Sequence, residues 1–273
     1  MTLKKIVNAL IRLPNFIKAF GIIHGIRLFY TTLLRPFKPK EYSFKVPQYD
    51  SAITLRNSLS DYSIFWQCIV NRQYDLSDMK QYEAILKKYN NTIDCGDTPL
   101  IIDCGGNIGL SSIYFAKMFP KAQIIVLEPE KNNFSILLKN IEGYKNIKAL
   151  QAAIWSHEDK LYISNPDAGS ASFEVKESTN ISNKQIRGIS VNSLTEGKEI
   201  LLMKIDIEGS QKELFIKNTQ WVNKTDLIIL ELEDWKYPWQ GTSQPFFKCL
   251  SQLNYDYIIK GENIFCFKNN THQ

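Results

Sequence analysis

Cysteine and histidine are scarce in this 273-residue chain, and neither is arranged for chemistry. Cys68, Cys95, Cys104, Cys249 and Cys266 are odd in number, widely separated, and form no Cys-x-x-Cys pair. The histidines are His24, His157 and His272. A zinc centre or a disulfide framework has almost nothing to be built from. The expectation is idle thiols in a reducing, cytoplasmic setting and no metal site. Long apolar runs are missing too. Pro14, Lys18, His24 and Arg27 break up the N-terminal ones. A spanning helix needs about 20 mostly apolar residues, and a signal peptide needs a continuous apolar core before its cleavage site. Neither is expected here, and no internal repeat or low-complexity tract is present.

Acids are absent from residues 1–40, which carry Lys4, Lys5, Arg12, Lys18, Arg27, Arg35, Lys38 and Lys40. The whole chain has a formal charge of +5; subtracting the +8 of this segment leaves the rest at −3. A slightly acidic body argues against a nucleic-acid partner. The basic segment reads as two amphipathic helices, Leu3–Phe20 and Gly21–Leu34. They can pack on the domain as a cap or make a peripheral contact with an anionic membrane face, and the two are compatible.

The pattern divides the chain into a basic helical segment with a proline-marked linker (1–48), a helical lead-in (49–98) and a main domain (99–273). From Pro99 onward short apolar runs alternate with helical patterns, as βαβ units in a doubly wound, mostly parallel α/β sheet do. Core strands are expected at 100–103, 123–128, 147–154, 200–206 and 226–232. Helices are expected at 109–119, around Phe134–Ile141 with Phe134, Leu137, Leu138 and Ile141 as its apolar face, after the capping-box pattern Ser210-Gln-Lys-Glu213, and at 244–253. Short antiparallel additions are expected at 160–164, 172–175 and 188–191. Final strands follow at 255–260 and 263–268.

Between the first core strand and its helix lies Asp103-Cys104-Gly105-Gly106-Asn107-Ile108-Gly109. Glycines there allow a tight turn at a strand's carboxyl end, with backbone close to a ligand. A dinucleotide fingerprint would place glycine where Cys104 stands. An acid precedes the turn instead, and a carboxylate suits a cationic ligand such as S-adenosylmethionine, which carries an ammonium and a sulfonium. Glu128 ends the next strand, 19 residues beyond Gly109, where an acid would accept bonds from ribose hydroxyls. Candidate cofactor-binding residues are therefore Asp103, Gly105, Asn107, Gly109 and Glu128.

The strings IIDCGGNIGLSSIYFAKMFP, IIVLEPE and LLMKIDIEG resemble the FkbM-type methyltransferases, with a weaker echo in Leu55-Arg56 through Ser60-Asp61. The resemblance covers about residues 99–235, and Lys204-Ile-Asp206-Ile-Glu208-Gly209 is its most specific block. Gly106 stands where that family has alanine, a difference expected to be harmless, and Gln211 stands where it has glutamate. The resemblance implies S-adenosylmethionine-dependent O-methylation of small or glycan-like acceptors, often in surface-polysaccharide pathways.

Asp206 and Glu208 end the fourth core strand, two apart and so on one face. Removing an acceptor hydroxyl's proton needs a positioned base. With histidine scarce, Asp206 comes first and Glu208 second; alternatively, Asp206 contacts only the cofactor and Glu208 caps the next helix. These acids with Glu231 or Glu233 could also hold Mg²⁺, but their spacing does not specify it. His157 reads as a solvated turn residue. Trp235, Tyr237 and Trp239 could hold a sugar or form a packed loop. Two rival readings are a nicotinamide oxidoreductase on a similar fold and a non-catalytic binding module. Base-nitrogen methylation is disfavoured by the Asp-Ile-Glu-Gly ending.

Overall fold

The computed structural model describes residues 11–165, 174–177 and 185–269. Two helices open it, α1 (Leu13–Phe20) and α2 (Ile22–Leu33). Strands β1 (Glu41–Phe44) and β2 (Ile53–Arg56) then pair antiparallel. Part of the stretch expected as linker is thus a strand: Tyr42 is buried and Ser43 bonds to Thr54 across the pair. Helix α3 (Leu59–Phe65), a π turn and α4 (Tyr82–Asp94) lead into the sheet.

The main sheet is built from β3 (Leu100–Cys104), β4 (Gln123–Leu127), β5 (Ile147–Leu150), β10 (Ile200–Ile205), β11 (Thr225–Glu231), β12 (Tyr255–Lys260) and β13 (Asn263–Lys268). Its order is β12-β13-β11-β10-β3-β4-β5. The neighbours from β11 through β5 are parallel, while β13 runs antiparallel to both β11 and β12. Helices α5 (Leu110–Met118) and α6 (Lys131–Ile141) connect β3 to β4 to β5. The doubly wound expectation holds.

Alternation along each strand feeds two cores. Ile101, Ile124, Leu202 and Ile229 join Phe115, Leu137, Phe16 and Phe29 on one face. Ile102, Ile125, Met203 and Ile228 join Leu214, Trp221 and Phe246 on the other. Both faces are covered, so the strands are nearly uninterrupted hydrophobic runs. Phe16 and Phe29 put α1 and α2 into the same core as the sheet, so this pair is a packed cap. The expected first helix begins within residues 1–10, outside the described part.

The expected strand 147–154 is two strands, because after β5 the chain leaves the main sheet as β6 (Ala153–Trp155). β6 joins β7 (Asp159–Ile163), β8 (Val175–Glu177) and β9 (Ile186–Ser190) in a second sheet of order β6-β9-β7-β8, where β6 and β9 are parallel rather than antiparallel. Helix α7 (Val191–Thr195) leads from β9 to β10. Of the expected strand 172–175, residues 172 and 173 lie outside the described part. Helix α8 (Gln211–Leu214) is short, and the expected capping box does not form: the Ser210 hydroxyl donates to the Val175 and Glu208 carbonyls, both at 3.3 Å. Helix α9 spans Gln244–Leu250. Helix α6 also differs in phase. Leu138 is exposed, whereas Asn133 and Asn140 are buried. Asn140 explains this by binding Thr54 N at 2.7 Å and donating to Ile108 O at 2.7 Å.

Candidate active site

Strand order reverses between β3 and β10, since β3 continues toward β4 and β10 toward β11. Ligands of open α/β sheets bind beyond the carboxyl ends of strands at such a point. A cleft lies there, lined in part by Gly105, Asn107, Glu128, Asn133, Asp206 and Glu208. Ala153 and Val175 of the second sheet and Ile64 of α3 close its sides.

The glycine turn is shaped by neighbouring backbone. Asp206 N donates to Cys104 O at 3.1 Å, so the end of β10 passes against Gly105. A Cβ on Gly105, which has φ +77°, would sit 1.9 Å from the Asp206 carbonyl oxygen. Only glycine fits. At Gly106 a Cβ would lie 2.1 Å from Val126 Cγ2. Glycine therefore fits where the family has alanine, and an alanine here would collide with Val126, which occupies its space. Gly109, at φ +84°, begins α5 with a left-handed residue.

Asp103 is not at the cleft. Its side chain is fully buried, accepts from Ser111 and Ser112 hydroxyls at 2.5 and 2.6 Å, and lies 3.1 Å from Lys204 Nζ. Asp103 and Lys204 are cross-strand partners of β3 and β10. The buried ammonium also donates to Gly105 O at 2.9 Å and lies 3.3 Å from Asp206. Burial works against its charge, but Asp103 and then Tyr74 and Asp206 keep its pKa well above the ordinary lysine value. The direct contact between Asp103 and a cationic ligand suggested by its position is replaced by this internal pair. The sequence signal for Lys204 was present: one lysine inside an otherwise apolar strand demands a counter-charge.

Glu128 lines the cleft and accepts from Asn107 N at 2.8 Å and Glu130 N at 2.9 Å. Burial pushes its pKa up to about 7 despite these donors. Behind it stands a relay the sequence did not resolve. Asn133 Nδ2 reaches Glu128 at 3.4 Å, and Arg56 Nη2 donates to Asn133 Oδ1 at 2.7 Å. Arg56 in turn forks onto the fully buried Asp61, with Nη2 to Oδ1 at 2.8 Å and Nε to Oδ2 at 3.0 Å. The Leu55-Arg56 to Ser60-Asp61 echo is thus a brace for the acid at the end of β4.

On the opposite wall, Asp206 and Glu208 both face the cleft. Glu208 accepts from Lys236 at 2.6 Å, and burial raises its pKa even so. The loop after β11 folds across this segment. Glu233 Oε1 accepts from Gly209 N at 2.6 Å, Lys236 reaches Glu174 at 3.6 Å, and the Tyr237 hydroxyl bonds Glu174. Glu233 Oε2 is buried without a hydrogen-bond partner among the described residues. Burial pushes Glu231 and Glu233 to about 7, with further upward contributions from neighbouring acids including Asp206. Trp235 and Trp239 are 75% and 101% exposed, so the loop is not a packed aromatic cluster.

Among the described residues, the one group of potential ligands within reach of a single ion is His157, Asp159 and Glu177. It is open to solvent, with side-chain exposures of 31, 35 and 52%. The four acids near β10 and β11 do not converge in this way.

The order of the sheet, with β13 reversed, and a cleft at the switch point define the class I methyltransferase architecture. The chain belongs to the family described as the methyltransferase FkbM domain, whose model matches residues 103–257. It is 20% identical over 182 residues to Methyltransferase 1 of Beauveria bassiana (strain ARSEF 2860), covering 56% of this chain and 72% of that protein. It is 36% identical over 61 residues to Methyltransferase sdnD of Sordaria araneosa, covering 21% of this chain and 24% of that one. Among solved structures it superposes loosely, with a TM-score of 0.36 and 11% identity, on a precorrin-6y C5,15-methyltransferase from Geobacter metallireducens GS-15, over 63% of this chain and 81% of that one. An rRNA methylase from Streptococcus thermophilus gives 0.38 and 7%, over 63% and 87%.

Family and fold imply S-adenosylmethionine as methyl donor. The residues present fit it: Gly105 and Asn107 place backbone at the cleft, and Glu128 offers a carboxylate there.

Proposed function

We propose that the chain transfers a methyl group from S-adenosylmethionine to a hydroxyl oxygen of a sugar, glycolipid or other small acceptor. When bound, the cofactor supplies a methyl already activated on a sulfonium. What this chain must add is alignment and removal of the hydroxyl proton. The observation that carries the reading is the acid-rich wall beside β10, where Asp206 and Glu208 face the cleft and Glu208 accepts from Lys236 of the loop that carries the exposed Trp235 and Trp239. Asp206 is the first candidate for the proton acceptor and Glu208 the second. Amphipathic aromatic faces suit the apolar side of a sugar ring. In this reading Glu128, braced by Asn133 and Arg56, accepts hydrogen bonds from the ribose hydroxyls.

The test supplies labelled S-adenosylmethionine with hydroxyl-bearing glycans and glycolipids and identifies the new bond by mass spectrometry. A methyl ether is expected, and an N- or S-methyl product overturns the reading. With such an acceptor, Asp206→Asn should lower turnover by about 10²–10⁴-fold, the usual contribution of a general base, at little change in cofactor affinity. Weakened cofactor binding with turnover preserved at saturation would instead assign Asp206 to holding the cofactor.

A further inference from the structure

Helix α2 has two apolar faces. Gly25, Leu28, Phe29 and Thr32 are buried against the rest of the fold. At roughly 100° per residue, Ile22, Ile26, Tyr30 and Leu34 fall on a second stripe, with Ile23 beside it. These are 67, 37, 55, 49 and 79% exposed respectively, and Phe37, just beyond the helix, is 86% exposed. His24, Arg27 and Thr31 fill the arc between the two apolar faces. A clustered exposed apolar stripe of this kind marks an interaction surface.

Charge selects the partner. Residues 11–40 hold Arg12, Lys18, Arg27, Arg35, Lys38 and Lys40 and no acid. Lys18, Arg27 and Lys40 are exposed; Asp78 interacts with Lys18, and Asp50 shares a groove with Arg27 and Lys45, so cations remain in excess on this face. Arg12 and Arg35 lie over the Tyr62 ring, at 5.5 and 5.8 Å from its centroid. Two copies of so cationic a face would repel each other, whereas an anionic surface would be attracted. A helix with exposed apolar residues bordered by cations suits a bilayer interface, with its apolar side in the headgroup and acyl boundary. It cannot span: α2 has 12 residues, and no helix among the described residues is long and apolar enough to cross a membrane.

We propose that the α1–α2 cap is a docking surface for an anionic bilayer, with Ile22, Ile23, Ile26, Tyr30, Leu34 and Phe37 entering the interface and the flanking cations meeting lipid headgroups. This goes beyond the methyl-transfer reading and does not depend on the acceptor. The contact would nevertheless lie close to the cleft. Helix α3 carries Tyr62, which lies under Arg12 and Arg35, and also Ile64, which lines the cleft.

The test is flotation of the full chain with phosphatidylcholine vesicles, with and without phosphatidylglycerol. Binding to the mixed vesicles and little to the neutral ones is expected. Each basic residue near an anionic surface contributes about fivefold to partition. The combined Lys18→Gln, Arg27→Gln, Lys40→Gln variant should therefore bind roughly a hundredfold more weakly. The Ile22→Asn, Ile23→Asn, Ile26→Asn variant alters exposed positions, so it should keep the parent melting temperature while losing flotation. No binding by the parent chain overturns the proposal, as does full binding by both variants. Self-association abolished by the isoleucine changes, without any vesicle binding, overturns it too and assigns the face to a second copy. The comparison of neutral and anionic vesicles with the parent chain stands even if a variant fails to fold.

Discussion

On the β3–β4 wall of the cleft the buried charges have fixed partners, whereas on the β10–β11 wall acids crowd together. Glu128 on the first wall takes two backbone donors, and behind it Asp103 faces Lys204 of β10 and two serines while Asp61 holds Arg56. On the second, Glu208 and Glu174 share Lys236, and burial together with neighbouring acids raises the pKa of Glu208, Glu231 and Glu233. A satisfied buried network holds one geometry. The first wall is therefore expected to be the more rigid of the two.

The largest expected effect tests the rigidity of the first wall. Lys204→Met would leave the fully buried Asp103 without its counter-charge, which costs about 3–5 kcal/mol. Lys236→Met breaks a pair whose side chains are 26 and 28% exposed, and about 1 kcal/mol is expected there. Urea denaturation of both variants measures the contrast. Equal losses would break the comparison, because the two walls would then be equally dependent on their ion pairs.

A smaller effect concerns ligand binding. Removing the acceptor of two ribose bonds, each contributing roughly 1.5–3 kcal/mol, means that Glu128→Ala should weaken S-adenosylmethionine at least tenfold in calorimetry. Glu233→Ala, on the other wall, should leave that affinity nearly unchanged. Because the Glu128 pKa is about 7, its ionised, better-accepting form builds up as pH rises through that value. Affinity should climb between about pH 6 and 8 in the parent and stay flat in Glu128→Ala. Stability moves the other way. A carboxyl whose pKa rises from 4.5 to about 7 on folding favours the folded state when protonated. The contributions of Glu128, Glu231 and Glu233 are thus present below about pH 4.5 and lost as pH rises toward 7.

The first wall was partly legible because its signals are local in sequence. The strand, the glycine turn and Glu128 lie within one βαβ unit, and strands 255–260 and 263–268 match their expected limits. What sequence missed are pairings between distant segments. Arg56 meets Asn133 across 77 positions, and Lys204 meets Gly105 across 99. The place of Asp103 before the glycine turn suggests a ligand contact, whereas its cross-strand neighbour Lys204 takes up its carboxylate. The phase of α6 departs from its hydrophobic pattern for a similar reason. Asn133 and Asn140 are buried because β2 and the glycine turn supply their partners, and hydrophobic periodicity has no term for that. The second wall was legible as a set of acids, but not as a loop closing back over Gly209.

The smallest expected effect sharpens the comparison at a single methyl group. The family pattern allows alanine at position 106, yet in this chain its Cβ would sit 2.1 Å from Val126 Cγ2 and 3.3 Å from Leu137 Cδ1. Val126 is β-branched and lies in β4 between β3 and β5, so few side-chain rotations are open to it. Overpacking by one methyl in such a place typically costs about 1–3 kcal/mol. Gly106→Ala should destabilise by that amount in thermal melts. Val126→Ala should create a small void by itself, and the two changes together should cost less than their sum, since each supplies what the other lacks. Additive losses would mean that Gly106 and Val126 do not contend for the same space. A neutral Gly106→Ala would mean that Val126 moves aside freely, and the wall that holds Glu128 would then be less rigid than its hydrogen bonds imply.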